Sequence, residues 1–252
     1  MKTGRFISIL FALPVLIICA LTYNAAPAIA GESKKSVIPV SVMVQYRLAE
    51  ANILSGKNMN VIVRGRDVVL TGTVNTIYDR LEAAKLARRA AADYTIVNDL
   101  TLAPPPAPDS LIDLEVMHRI ERNTVYTVFD WATAHSKNGI VTLSGWVSSP
   151  FDVVEYQKQA EHVVGVRKVV NDLSIELGYR ELARRAMRIV YRQGMLIGYS
   201  LKLNPPVHVI AVDGYVILEG KIYSTSLGNY IASVVGFRTG AIRVINELQS
   251  PA

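Results

Sequence analysis

One glycine-interrupted strand pattern occurs three times in this chain, always at nearly the same spacing. It reads VVLTGTV at Val68–Val74, VTLSGWV at Val141–Val147 and VILEGKI at Val216–Ile222. Leu70, Leu143 and Leu218 are separated by 73 and 75 residues. Gly72, Gly145 and Gly220 keep that spacing, and so do Asn98, Asn171 and Asn246 within TIVNDL, KVVNDL and RVINEL. Three markers holding one period define three copies of a unit of about 70 residues.

Each copy carries the same signals in the same order. A helical pattern comes first, around Val40–Leu54, Leu111–Arg122 and Glu181–Ile197. Ser110 and Asp113 are placed as a capping box for the second of these. Two strands follow, joined by Gly65-Arg66, Asn138-Gly139 and Asp213-Gly214. Asn-Gly and Asp-Gly suit a type I′ hairpin, and a leading glycine suits type II′. A second helix is expected near Thr76–Ala92, Pro150–Val163 and Ser224–Phe237, then a last strand at Ile96–Leu102, Val169–Ile175 and Val244–Leu248. Gly165 and Gly240 break the chain before that strand, whereas the first copy has Ala92 there.

The expected class is α+β: three tandem αββαβ domains, each with two helices on one face of a small three-stranded mixed sheet. The domains are placed at 37–103, 109–177 and 179–250. The strand glycines are read as points where a helix lies close on the sheet, because a strand glycine costs roughly 0.5–1 kcal/mol against alanine. The first two copies are separated by APPPAP, Ala103–Pro108, a stiff proline-rich linker (104–108 at its narrowest). The last two are separated by little more than Leu177, Gly178 and Tyr179. Copies two and three are therefore expected to pack as a pair, with copy one held off.

Residues 1–30 stand apart. Lys2 and Arg5 precede an uncharged apolar run, Phe6–Leu21, and then APAIA at Ala26–Ala30. This is the layout of a cleaved secretory signal peptide, and the run is short for a membrane span of about 20 residues. An uncleaved anchor is the alternative. The single cysteine, Cys19, lies inside that run and follows Ile18, which disfavours lipidation. Removal of the segment leaves no cysteine and hence no disulfide, which fits a bacterial periplasm. At 50% hydrophobic and 19% charged, the chain is too apolar for disorder.

The residue pattern resembles the BON domain, the bacterial OsmY and nodulation domain. NGIVTLSGWV with GVRKVVNDL matches best, DGYVILEGKI with GAIRVINEL matches well, and the first copy keeps VVLTGTV and IVNDL. The resemblance implies an αββαβ fold, a periplasmic or envelope address, association with osmotic and envelope stress, phospholipid binding, and no enzymatic activity or cofactor.

A search for chemistry agrees. His118, His135, His162 and His208 are scattered, none with a partner at metal-ligand spacing, and read as exposed or capped structural histidines. No nucleophile elbow or phosphate loop is visible. One constellation does stand out. In RELARRAMRIVYRQGML, Arg180, Arg184, Arg188 and Arg192 recur every four residues, with Arg185 and Tyr191 in the same arc. Leu182, Ala186, Ile189, Val190 and Leu196 take the opposite arc.

A basic stripe with an aromatic suits anionic lipid headgroups. It equally suits a solvated face, or docking on copy two. Residues 104–178 hold 6 basic against 10 acidic residues, and residues 179–252 hold 9 against 4. Arg80, Lys85, Arg88 and Arg89 make a weaker version in copy one. Nucleic acid is disfavoured because no stacking platform or reading motif is present.

The expected function is a non-enzymatic periplasmic protein bound peripherally to anionic phospholipid. The alternative is an adaptor that binds envelope proteins through exposed sheet edges.

Overall fold

The computed structural model describes residues 38–54, 58–103, 108–197 and 204–250. The signal segment, with Lys2, Arg5 and Cys19, and most of the proline-rich linker lie outside the described residues. Unit 1 comprises α1 (Val40–Glu50), β1 (Asn58–Arg64), β2 (Asp67–Val74), α2 (Ile77–Ala90) and β3 (Thr95–Leu102). Unit 2 comprises α3 (Asp109–Glu121), β4 (Trp131–Lys137), β5 (Ile140–Val147), α4 (Pro150–Glu161) and β6 (Lys168–Ile175). Unit 3 comprises α5 (Arg180–Val190), a 3₁₀ turn at Gly194–Leu196, β7 (Val207–Val212), β8 (Tyr215–Lys221), α6 (Thr225–Thr239) and β9 (Arg243–Gln249).

The three sheets are built alike. The middle strand, β2, β5 or β8, pairs antiparallel with its predecessor and parallel with its successor. The parallel step needs a crossover, which the second helix provides. Even the register repeats: Leu70, Leu143 and Leu218 sit opposite Asn98, Asn171 and Asn246. The leucines are fully buried, each at the centre of its own core.

The repeat markers are structural, and their roles are specific. Asn98 and Asn171 donate to the carbonyls of Arg80 and Val153, both 2.9 Å away in the first turns of α2 and α4. Asn246 instead donates to the Asn229 side chain of α6 at 3.0 Å. Each asparagine thus clips the last strand to the second helix, while its own Oδ1 accepts from the amide two residues on.

The strand glycines correct the expected helix approach. Gly72, Gly145 and Gly220 have φ of 121°, 125° and 115°. A Cβ there would land on the carbonyl oxygen of Asn58, Trp131 or Pro206. The close neighbour is the antiparallel partner strand, not a helix, and only glycine tolerates both the contact and the positive φ.

Two further expectations are revised. No capping box starts α3: it begins at Asp109, one residue before Ser110, and Ser110 caps nothing. Asp109 accepts instead from the amides of Asn138 and Gly139 at 2.6 and 3.0 Å, so the carboxylate holds the β4–β5 turn. In unit 1, α2 ends without glycine, at Ala91, whose carbonyl accepts from Tyr94 N at 3.0 Å.

Unit 1 is not held off from unit 2. Tyr78 of α2 stacks on His162 with ring centroids 3.7 Å apart, and Ile77 belongs to the core of unit 2. Units 2 and 3 also pack. Val209 on the β7 edge donates to the Val128 carbonyl at 2.7 Å, and Val128 lies in the core of unit 3.

Candidate functional site

Among the described helices, α5 has the most sharply divided surface. Ala183, Ala186 and Val190 are buried in the core of unit 3, while Arg180, Arg184, Arg185, Arg188 and Arg192 are exposed. The five arginines are not equivalent. Arg180 donates to the Ser148 carbonyl of unit 2 at 2.9 Å, and Arg185 to the Thr239 carbonyl at the end of α6 at 3.1 Å. Arg188 pairs with Glu181 at 3.2 Å, both side chains more than half exposed. Such surface pairs hold weakly. Arg184 and Arg192 have no ion-pair partner among the described residues.

Tyr191 does not join the stripe. The helix ends at Val190, so the 3.6-residue period stops there and Tyr191 turns inward to 6% exposure. Its hydroxyl donates to the Val207 carbonyl at 2.5 Å and accepts from the Val207 amide at 3.2 Å. Burial pushes its pKa up to about 12.

Aligned on the buried pairs Val44/Leu48, Val116/Ile120 and Ala186/Val190, one helix face carries three chemistries. Arg184, Arg185 and Arg188 correspond to Leu114, Glu115 and His118 in α3, and to Val42, Met43 and Tyr46 in α1. Val42, Met43 and Tyr46 are 48%, 40% and 61% exposed, so unit 1 presents an apolar face where unit 3 presents a basic one. Sequence reasoning missed this face because α1 carries apolar residues on its exposed side as well as its buried one, so its periodicity does not tell the two apart. It also passed over Phe237 and Ile242, exposed by 91% and 73% near the end of α6.

The junction of units 2 and 3 holds a buried histidine with shifted titration. His208 on β7 is 1% exposed and inserts into the α3–β4 loop. Its Nδ1 lies 3.1 Å from the Thr127 carbonyl. That oxygen can only accept, so Nδ1 carries the proton. Tyr126 and Trp131 flank the ring, with centroids 5.1 and 5.2 Å away. Burial pulls the His208 pKa down to about 4.

Nearby, the fully buried Asp130 accepts from Thr127 N, Thr127 Oγ1 and Ser148 N at 2.8, 2.6 and 2.7 Å. Burial, helped by Asp130, raises Asp152 to about 6. Burial also raises Glu219, the cross-strand partner of His208, to about 7, with Glu247 contributing. These groups are braced by backbone amides and aromatic rings. Among the described residues, no group of three or more His, Cys, Asp or Glu is placed to hold a metal. No described helix is long and apolar enough to cross a membrane.

Three αββαβ units with hairpin-turn glycines and asparagine clips define a repeated small-module protein. The BON domain model matches residues 40–104 and 122–176, so units 1 and 2 are BON domains. Unit 3 shares the element order, strand order and register of the two matched segments. No curated protein matches the chain. Among solved structures, the C-terminal domain of CdsD, a type III secretion structural protein of Chlamydia trachomatis, is 13% identical over 86% of this chain and 99% of its own, with a TM-score of 0.24. The periplasmic domain of the type III secretion inner-membrane protein PrgH from S. typhimurium is 12% identical over 81% and 99%, with a TM-score of 0.21.

Proposed function

We propose that this is a non-enzymatic protein of the bacterial periplasm that binds anionic phospholipid surfaces and supports the envelope under osmotic or related stress. One observation carries the reading: Arg184 and Arg188 on the solvent side of α5, and the exposed Arg192 just past its end, follow at four-residue steps, with the opposite side of the helix locked in the core. Among the described residues their one ion pair, Arg188–Glu181, is a surface pair that a phosphate can displace. Each arginine at an anionic bilayer contributes about 1 kcal/mol, so three give roughly 3 kcal/mol. That is about a hundredfold in partitioning, and it is screened by salt. The exposed apolar face of α1 supports the same reading, since an interfacial protein gains from both kinds of surface.

Vesicle co-sedimentation of residues 31–252 tests this. Binding to anionic but not neutral vesicles, weakened by salt and lost in Arg184→Glu/Arg188→Glu/Arg192→Glu, is expected. Binding that ignores the triple charge reversal, or that is absent from anionic vesicles at low salt, refutes it. Absent binding would turn attention to protein partners.

A further inference from the structure

We propose that the cleft between units 2 and 3 binds a small amphipathic anion: an apolar body of about six carbons carrying one carboxylate or phosphate. This goes beyond a lipid-facing helix, because the cleft is a discrete concave site that contains only the first part of the arginine stripe. Its volume is about 160 Å³. An apolar cavity of about 150 Å³ accepts benzene, which sets the size of the body.

The cleft has an apolar floor and a cationic rim. Phe129 of unit 2 and the β7 segment Val209, Ile210 and Ala211 line its base. The three β7 residues are each at most 3% exposed, with Val209 and Ala211 in the core of unit 3, so they form a fixed backing and the half-buried Phe129 supplies the apolar surface a ligand meets. Arg180 and Arg184 stand at the rim. Arg180 is held by its bond to the Ser148 carbonyl at 2.9 Å, which uses one of its five donors and orients the rest. Arg184 has no ion-pair partner among the described residues and can meet an anion face on.

The rim acid Glu176 accepts from the Gly178 amide, so the two guanidiniums outnumber it. A guanidinium beside an apolar wall suits a carboxylate or phosphate, with geometry that a lysine could not match. A bare ion would gain nothing from the floor, and an uncharged hydrocarbon nothing from the rim.

Calorimetric titration of residues 31–252 with hexanoate and hexyl phosphate tests the site, with acetate, inorganic phosphate and hexanol alongside. Saturable one-to-one binding on the order of 1 mM or tighter is expected for at least one of the two amphiphiles. The better of them identifies the head group. Acetate, phosphate and hexanol should bind at least tenfold more weakly. Arg184→Gln should weaken binding roughly tenfold, and Arg192→Gln, two residues past the end of α5 and outside the cleft, should leave it unchanged. Ala183→Met, which narrows the cleft from the α5 side, should also weaken it.

No saturable binding below about 10 mM overturns the proposal. Equal binding of acetate, or equal binding by the Arg184→Gln and Arg192→Gln variants, overturns it as well. Vesicle binding by an Arg188→Gln/Arg192→Gln variant reads the lipid surface separately, so either proposal can fail alone.

Discussion

Acidification should weaken the protein through one side chain, His208. A histidine in the unfolded chain titrates near 6.5, whereas burial against Tyr126 and Trp131 brings His208 down to about 4, although its hydrogen bond to the Thr127 carbonyl pulls the other way. Protons therefore bind the unfolded chain first. The stability contributed by neutral His208 is complete above about pH 6.5, is lost as pH falls toward 4, and changes no further below that. The shift of roughly 2.5 units corresponds to about 3 kcal/mol, and at 1% exposure little solvent screening reduces it.

Glu219 and Asp152 oppose it. Their folded pKa values are raised to about 7 and about 6, so each takes up its proton in the folded state first and adds stability as pH falls. The wild-type profile alone would mix these effects. The difference between wild type and His208→Gln isolates the histidine, because the acids are common to both chains. Urea unfolding followed by tryptophan fluorescence suits the measurement, since Trp131 lies against the His208 ring. From pH 7.5 to 4, wild type should lose about 3 kcal/mol relative to the variant. A difference that stays flat across that range, or an NMR titration placing His208 near 6.5, would refute the reasoning.

Three other outcomes are expected. Gly145→Ala should cost roughly 3 kcal/mol in thermal or urea unfolding, because its Cβ meets the Trp131 carbonyl at a φ of 125°. Asn171→Ala should cost about 1–2 kcal/mol, leaving the Val153 carbonyl without its side-chain donor and freeing β6 from α4; hydrogen exchange at β6 should speed up. Phe237→Ser, at a side chain 91% exposed, should change folding stability by less than about 0.5 kcal/mol, so any binding defect it causes is a surface effect.

The parts of the fold that depend on near neighbours were legible in the residues. Asn138-Gly139 and Asp213-Gly214 adopt positive φ at both positions, as a type I′ hairpin demands, and Gly65 does so alone at its turn. The second helices expected near Thr76, Pro150 and Ser224 begin there, where the hydroxyls of Thr76, Ser149 and Ser224 accept from helix amides. What failed to show depends on distant partners.

His208 reads as one more scattered histidine until Thr127, 81 residues earlier, meets it. Asp109 fits a helix start but serves a turn 29 and 30 residues on. Tyr191 follows the arginine period in sequence, yet the helix stops one residue too soon for it to lie among them. The proline run suggested separation, but its stiffness says nothing about direction, and stacking of Tyr78 on His162 decided the matter.

The bond from Val209 to Val128 has a consequence for modularity. Three units with one topology look interchangeable, as if any could be duplicated, deleted or shuffled. The third is not. Its leading strand is sealed by a loop from its neighbour, and His208 and Ile210, on the sheet face away from its own core, are almost wholly covered. Excised at Gly178, it would present an open strand edge beside uncovered apolar surface, the combination that drives edge-to-edge aggregation. Insertions and fusions should therefore treat residues 109–250 as one indivisible piece, although its architecture counts as two.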